Sequence, residues 1–298
     1  MNWLFFALLA PALYAVINFV DKYLLEKVIK DYRGMPVYTA LSGLIVGTIL
    51  WIVNGFPVLG VKDTVLVLLT GILSIFGFVL YYRALLLEQT SKIVILFQVT
   101  PVFVLTLSMF FLKETVSLKA ALGFLLVLFA AINMASLGDK KSLKPSRAFL
   151  LVLICDLFIA SAYVLFKFVS ENNTFGQMIS YESWGIFLGG AILYMVFPSI
   201  RKAFAINNSK IPVWGLGAVM VNESIYVGAK LFTYLAITLG SASIVSVLEG
   251  TQVFYGILYG FILTLIVPRV FKEDISKKGL IRIFILAFIA FLGIWLLS

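Results

Sequence analysis

TSKIVILFQVTPVFVLTLSMFFLKET, from Thr90 to Thr115, and SASIVSVLEGTQVFYGILYGFILT, from Ser241 to Thr264, are the two stretches that decide the reading of this chain. Each opens on small polar residues, runs through roughly twenty mostly apolar ones, enough to cross a bilayer, and carries polar groups near its middle. With Ile93 set against Ile244 and no gap, Gln98 faces Glu249, Pro101 faces Gln252 and Phe103 faces Phe254. The chain reads as a duplicated unit.

Working outward, 62% of the 298 residues are hydrophobic and only 12% are charged, against about 25% charged in an average soluble domain. Such a chain belongs in a membrane. Ten stretches meet the length requirement, near 3–20, 36–53, 64–82, 93–112, 116–137, 148–166, 178–198, 213–238, 242–267 and 280–297. Continuous apolar runs exclude the ten-residue alternation of a β-barrel. The first stretch has neither a basic region before it nor a small-residue cleavage site after it, so it reads as a retained helix and not a secretion signal. One cysteine, Cys155, and no histidine leave no internal disulfide and no zinc site, and no cofactor is expected.

The net charge of +9 is dispersed through short loops, which argues against a nucleic-acid partner. Of the 23 basic residues, eighteen lie in or beside the odd-numbered loops, four (Lys62, Lys113, Lys119 and Lys167) on the even side, and the last is Lys230. The positive-inside rule then puts the odd loops in the cytoplasm, and an even number of spans leaves both termini outside. Sequons at Asn172 and Asn207 fall on opposite sides in this topology and read as chance occurrences.

An apolar span entered by small polar residues, with a central Pro101 and the exit Phe111-Leu112-Lys113-Glu114, resembles the EamA-type branch of the drug/metabolite transporter superfamily. The second copy departs from this pattern, with Gln252 for the proline and its Lys272-Glu273 pair displaced by eight residues. The resemblance implies an all-α integral membrane protein, a ten-helix secondary transporter with a central cavity between its halves, often an exporter of amino acids or other metabolites. It supplies no functional residue to carry over. Residues 1–137 are read as the first five-helix repeat, 138–147 as a polar linker and 148–298 as the second repeat. Five is odd, so the second repeat enters from the opposite face and the two are inverted, an arrangement that places binding sites at mid-depth between them.

A charge at the centre of a membrane helix costs about 2.5–3.5 kcal/mol even on the mild insertion scale, so intramembrane charges mark candidate sites. Spans 6 to 9 hold Asp156, Glu182, Glu223, Lys230 and Glu249, of which Glu182 is read as interfacial. Helical spacing gathers Asp156, Ala160, Tyr163 and Lys167 on one face of span 6. It gathers Glu223, Tyr226, Lys230 and Tyr234 in span 8, and Glu249, Gln252, Gly256 and Tyr259 in span 9. Weaker stripes are Tyr14, Asn18 and Asp21 in span 1 and Gln98 with Ser108 in span 4. The expected cavity is lined by Tyr14, Asn18, Gln98, Tyr163, Tyr226, Lys230 and Gln252, with Glu223, Glu249 and Asp156 as proton-coupling candidates. The competing reading is an ion pair of Lys230 with Glu249 or Glu223 that only holds helices together. Pro101 removes a helical hydrogen bond to the Phe97 carbonyl in mid-span, as a gating hinge or a static kink. The glycines of span 9, Gly250, Gly256 and Gly260, read as close-packing positions.

These features favour a secondary transporter of a small polar or amphipathic metabolite, an amino acid or a relative, working by alternating access with proton coupling or exchange. The chain lacks a GxxxxGK[ST] loop for ATP and a nucleophile or histidine constellation for enzyme chemistry. A nucleotide-sugar or sugar-phosphate exchanger of the same fold would expose paired Lys or Arg, and only Lys230 lies deep; a channel or scaffold is a further alternative. Expected partners are the small-molecule substrate and the lipid bilayer, with oligomeric state open. Short loops without extra domains lean towards a prokaryotic cytoplasmic membrane.

Overall fold

The structure, a computed structural model, describes residues 3–113, 117–135, 146–266 and 277–297. Glu114, most of the expected linker 138–147 and the Lys272-Glu273 pair lie outside the described residues. Among the described residues the regular structure is entirely helical. α1 (Trp3–Tyr23) runs into a π turn at Leu24–Val28, and a 3-10 turn at Tyr32–Gly34 leads into α2 (Met35–Val53) and then α3 (Val61–Leu87). α4 (Thr90–Leu96), α5 (Thr100–Phe111) and α6 (Leu118–Ala135) follow. Then come α7 (Arg147–Ser170), α8 (Phe175–Val196), α9 (Pro198–Lys210) and α10 (Val213–Leu239). α11 (Ala242–Glu249), α12 (Gln252–Ile266) and α13 (Lys277–Leu297) complete the chain. Eight helical stretches among the described residues are long and apolar enough to cross a membrane. The other two expected positions hold α6 and the 27-residue α10, whose apolar run is interrupted by Glu223 and Lys230.

The fourth and ninth spans, expected as continuous helices, are both broken. Phe97–Val99 form a 3-10 turn between α4 and α5, and Pro101 stands in the first turn of α5. Proline is accommodated there because the first N–H groups of a helix have no intrahelical acceptor in any case, so it opens a new helix instead of kinking one. In the ninth span Gly250, Thr251, Val253 and Phe254 all donate to the carbonyl three residues back, at 3.0–3.2 Å, which tightens the chain between α11 and α12. Gly250 has no room for a Cβ between Ile294 of α13 and the Gln98 carboxamide, so it both bends and packs. The two breaks fall at positions that the Ile93–Ile244 register sets against each other. Gly256 does pack closely, its ideal Cβ position lying 3.1 Å from Val94 Cγ1.

Glycines also let α8 lie backbone to backbone between α2 and α3. Gly43 faces the Ser183 carbonyl, Gly71 the Glu182 carbonyl, Gly185 the Leu68 carbonyl, and Gly190 the Ala40 methyl. Small residues at such contacts are how helices associate without a hydrophobic drive from solvent. α3 further packs along α7, α1 along α10, and α6 along α13. By contrast α10 meets α2 over a shorter length, leaving a narrow gap lined by Thr39, Gly43, Ile186 and Val227.

Two lysines close helix ends in parallel fashion. Lys22, at the end of α1, donates to the carbonyls of Leu85 and Glu88 at the end of α3, and Lys167, near the end of α7, donates to those of Ile237 (3.2 Å) and Gly240 (2.7 Å) at the end of α10. Each cation meets carbonyls with no intrahelical donor and the negative end of a helix dipole. α9, in a connection expected to be a loop, docks on the first connection through Asn207. Its Oδ1 accepts from the N–H groups of Lys30 and Asp31, both 3.0 Å, and its Nδ2 donates to the Asp31 carbonyl at 2.9 Å. With its side chain buried and its amide bonded on both sides, the Asn207 sequon is closed to modification. In the same connection the Arg33 guanidinium, hydrogen bonded to Asp31, holds that carboxyl below the usual range.

The backbone contacts of α8 lead to a direct test. We expect Gly71→Ala and Gly185→Ala each to destabilise the purified protein by roughly 1–3 kcal/mol, the usual cost of overpacking, read as a lower melting temperature in detergent. Gly217→Ala, with nothing within 4 Å of the new methyl, should leave that temperature unchanged or raise it. Equal behaviour of the three variants would contradict the packing described.

Candidate functional site

The two helix breaks touch, Gln98 against Gly250, and both line a cavity of about 110 Å³ shared with α1, α3, α7, α10 and α11. A single water needs about 10–15 Å³ on this measure, so the space suits a small organic molecule. Tyr14, Asn18, Gln98, Pro101, Tyr163, Glu223, Tyr226, Lys230, Glu249 and Gln252 all line it. Of the residues expected at the site, the structure places only Asp156 elsewhere. Asp156 is fully buried behind the cavity wall, where its Oδ1 accepts from Thr100 Oγ1 at 2.9 Å, while its neighbour Cys155 faces the cavity. It therefore ties α7 to the start of α5.

The expected helical faces hold only in part, because the breaks re-phase the helices. Beyond Gly250, Gly256 turns to Val94 and Tyr259 to Phe19. Ser108 is buried away from the cavity, and Lys167 is taken by the carbonyls at the end of α10.

The principal correction concerns Lys230. Its ammonium pairs with Glu182, not with Glu249 or Glu223. Glu182 is not interfacial: α8 begins at Phe175, about two turns earlier, and the Glu182 side chain has no exposure. Lys230 also lies over the rings of Tyr226 and Tyr234, 5.7 and 5.6 Å from their centroids. Buried charges survive by such pairing, and this pair neutralises the lone cation on the cavity wall.

Three carboxylates on the cavity remain without a cation among the described residues. Asp21 accepts from Tyr81 Oη at 2.9 Å and from Asn222 Nδ2 at 2.7 Å. Glu223 accepts from Thr39 Oγ1 at 3.3 Å, and that hydroxyl lies 3.3 Å from Tyr82 Oη. Glu249 accepts from Thr233 Oγ1 at 2.6 Å and Tyr163 Oη at 3.2 Å. Asp21 and Glu223 are each only 2% exposed, so neutral hydroxyls and an amide carry the whole burden of solvating them.

Sequence reasoning missed Glu182, Tyr81, Tyr82, Thr39 and Thr233, and left Asp21 as a minor member of a stripe. The signal for Asp21 was present in its i, i+3 spacing from Asn18. Tyr81 and Tyr82 were set at the edge of a span expected to end at 82, whereas α3 continues to Leu87.

Neutralising one member of the Lys230–Glu182 pair leaves the other charge buried alone. We expect Lys230→Met and Glu182→Gln each to cost roughly 3–5 kcal/mol in detergent melting experiments, and the double variant to recover most of the loss. Recovery of Lys230→Met by Glu249→Gln instead of Glu182→Gln would assign the partner differently.

Comparison with known proteins follows the same lines. A crystal structure of another protein superposes on 95% of this chain and 98% of its own with a TM-score of 0.58 at 14% sequence identity, a likeness of fold alone. No curated protein matches the sequence. Residues 1–136 match the family model described as the EamA-like transporter family, whose members are transporters and not enzymes. Apolar helices and family match together make this an integral membrane protein whose first 136 residues match the model of the EamA-like transporter family, a family of the drug/metabolite transporter superfamily.

Proposed function

We propose that the protein is a secondary transporter of ten spans, built as inverted repeats over residues 1–137 and 148–298, that moves a small polar or amphipathic metabolite by alternating access. The observation that carries this reading is a cavity with several buried carboxylates, placed where two membrane helices are both interrupted. Interrupted helices at the junction of repeats are where transporters place substrate and coupling ions. In this scheme Tyr14, Asn18, Gln98, Tyr163, Tyr226 and Gln252 orient the substrate, Glu223 and Glu249 carry protons, and the Lys230–Glu182 pair sets the wall between them. Asp156 positions the start of α5 through Thr100, and Pro101 serves as the hinge.

Alternation draws support from an inequality. Inverted repeats would pair the third span with the eighth and the seventh with the second, so the α3–α8 contact should match the α10–α2 contact. The first is a continuous glycine-mediated seam and the second is parted. We read this as one of two access states, sealed on the α3 side and parted on the α10 side. The basic odd-numbered loops favour termini on the outside, the short loops fit a prokaryotic cytoplasmic membrane, and the family likeness favours export as the direction. A sugar-phosphate exchanger fits less well, because a phosphate needs free cations and Lys230 is engaged.

The test is flux of a labelled metabolite panel into proteoliposomes with and without an imposed pH gradient. We expect wild-type protein to accumulate a substrate with the gradient, and Glu249→Gln or Glu223→Gln to lose the accumulation by about 10-fold or more, within the usual range for a missing proton-transfer group, while retaining exchange at equal pH. Melting temperatures that fall together with a complete absence of flux in every condition would mark these groups as structural.

A further inference from the structure

The proposed transport function leaves the charge of the substrate open, and the cavity wall bears on it. Asp21, Glu223 and Glu249 line the space, and the single lysine on its wall is held by Glu182. A carboxylate or phosphate on a ligand would meet three acids and no free cation, which is repulsion built against anions and zwitterions alike. We infer that the cavity selects an organic cation, an amine carrying no free carboxylate, with its ammonium group received between Asp21 and Glu223.

Proton counting on the wall points the same way. The Tyr81 hydroxyl has one proton and two acceptors, Asn18 Oδ1 at 2.7 Å and Asp21 Oδ2 at 2.9 Å. Turning the Asn18 amide over presents its NH2, otherwise unpartnered, to the Tyr81 oxygen and frees the phenol proton for Asp21. That exchange leaves the Asn18 carbonyl oxygen unpartnered. Gln98 Oε1 and Asn222 Oδ1 are already buried on the cavity without a donor among the described residues. Unpartnered acceptors therefore line the cavity, those of Asn18 and Asn222 on the two amides next to Asp21, and an ammonium group, with three N–H donors and no acceptor, is the complement.

Beside these groups the wall carries a cluster of aromatic rings. Phe78 and Tyr81 lie 6.3 Å apart by ring centroids, Tyr81 and Tyr82 5.2 Å, and Tyr81 and Phe97 5.8 Å, beside the two carboxylates they serve. Ring faces attract cations and also accept an apolar body. A compact amphipathic amine fits both halves of the wall.

This inference rests on the transporter reading for its meaning, but its test does not. Binding of leucinamide, leucine and N-acetylleucine, one body in cationic, zwitterionic and anionic form, is measured on the purified full chain in detergent by titration calorimetry. Leucinamide should bind at least about 10-fold more tightly than either of the others, a discrimination of the size expected from like-charge exclusion. Asp21→Asn and Glu223→Gln, each checked for a monodisperse folded protein, should remove that preference, whereas Lys62→Gln, on the even-side surface, should not. Binding of leucine or N-acetylleucine as tight as that of leucinamide, or no binding of leucinamide, overturns the inference. Should liposome flux then still show movement of an anion or zwitterion, the transporter reading stands without it. Tight leucinamide binding with no flux of any solute would retain the cation site and remove the transporter.

Discussion

A charge in a medium that cannot solvate it must be answered by another charge or by hydrogen bonds, and here the division of that labour organises the interior. Lys230 is answered by Glu182, across α10 and α8, and the pair is enclosed by the rings of Tyr226 and Tyr234. With the lone cation of the cavity wall consumed, Asp21, Glu223 and Glu249 are left to tyrosines, threonines and an asparagine. An interior that is acidic by subtraction follows from one pairing choice. Had Lys230 reached Glu249 instead, the cavity would hold a neutral pair and a buried, unanswered Glu182 between α8 and α10.

The broken fourth and ninth spans give that interior its shape. A continuous helix offers side chains alone to a ligand, while an interrupted one also ends and begins there, with backbone groups that lack intrahelical partners. Two different chemistries produce the same result. Pro101 begins α5 because it costs nothing at a helix start, and Gly250 allows the chain to tighten because a side chain would strike Ile294 and Gln98. Asp156 then has a clear task away from the cavity, since its contact with Thr100 fixes where α5 begins.

Much of this was legible in the amino-acid order. Apolar length gives the helices, the Ile93–Ile244 register puts the two interruptions opposite each other, and the cost of burying charge draws Glu223, Lys230 and Glu249 to one place. What was not legible depends on facts that periodicity does not carry. Glu182 looked interfacial because an apolar run was taken to mark the start of α8, while the capping box of Thr174 and Gln177 starts the helix earlier, at Phe175. Lys167 was grouped with Tyr163 on one helix face, but its long side chain reaches past that face to the end of α10. Tyr81 and Tyr82 resemble the aromatic belt of a membrane surface in sequence, and only the extra length of α3 carries them inward. Helix α9 follows from Pro198 at its first turn and an inner face of Ile200, Ala203 and Asn207, a pattern too short to stand out beside the apolar spans.

The space lined by the two interruptions is a polar cavity open to solutes and not a sealed polar core. Cys155 is the chain's single cysteine, so a Cys155→Ala background allows one reporter thiol to be placed at Gln98→Cys, on the wall beside Gly250. The measurement is its rate of reaction with a cationic and an anionic methanethiosulfonate in proteoliposomes. An open acidic cavity predicts reaction with the cationic reagent, faster than with the anionic one and slowed by leucinamide. A thiol that resists both reagents in the folded protein would contradict it.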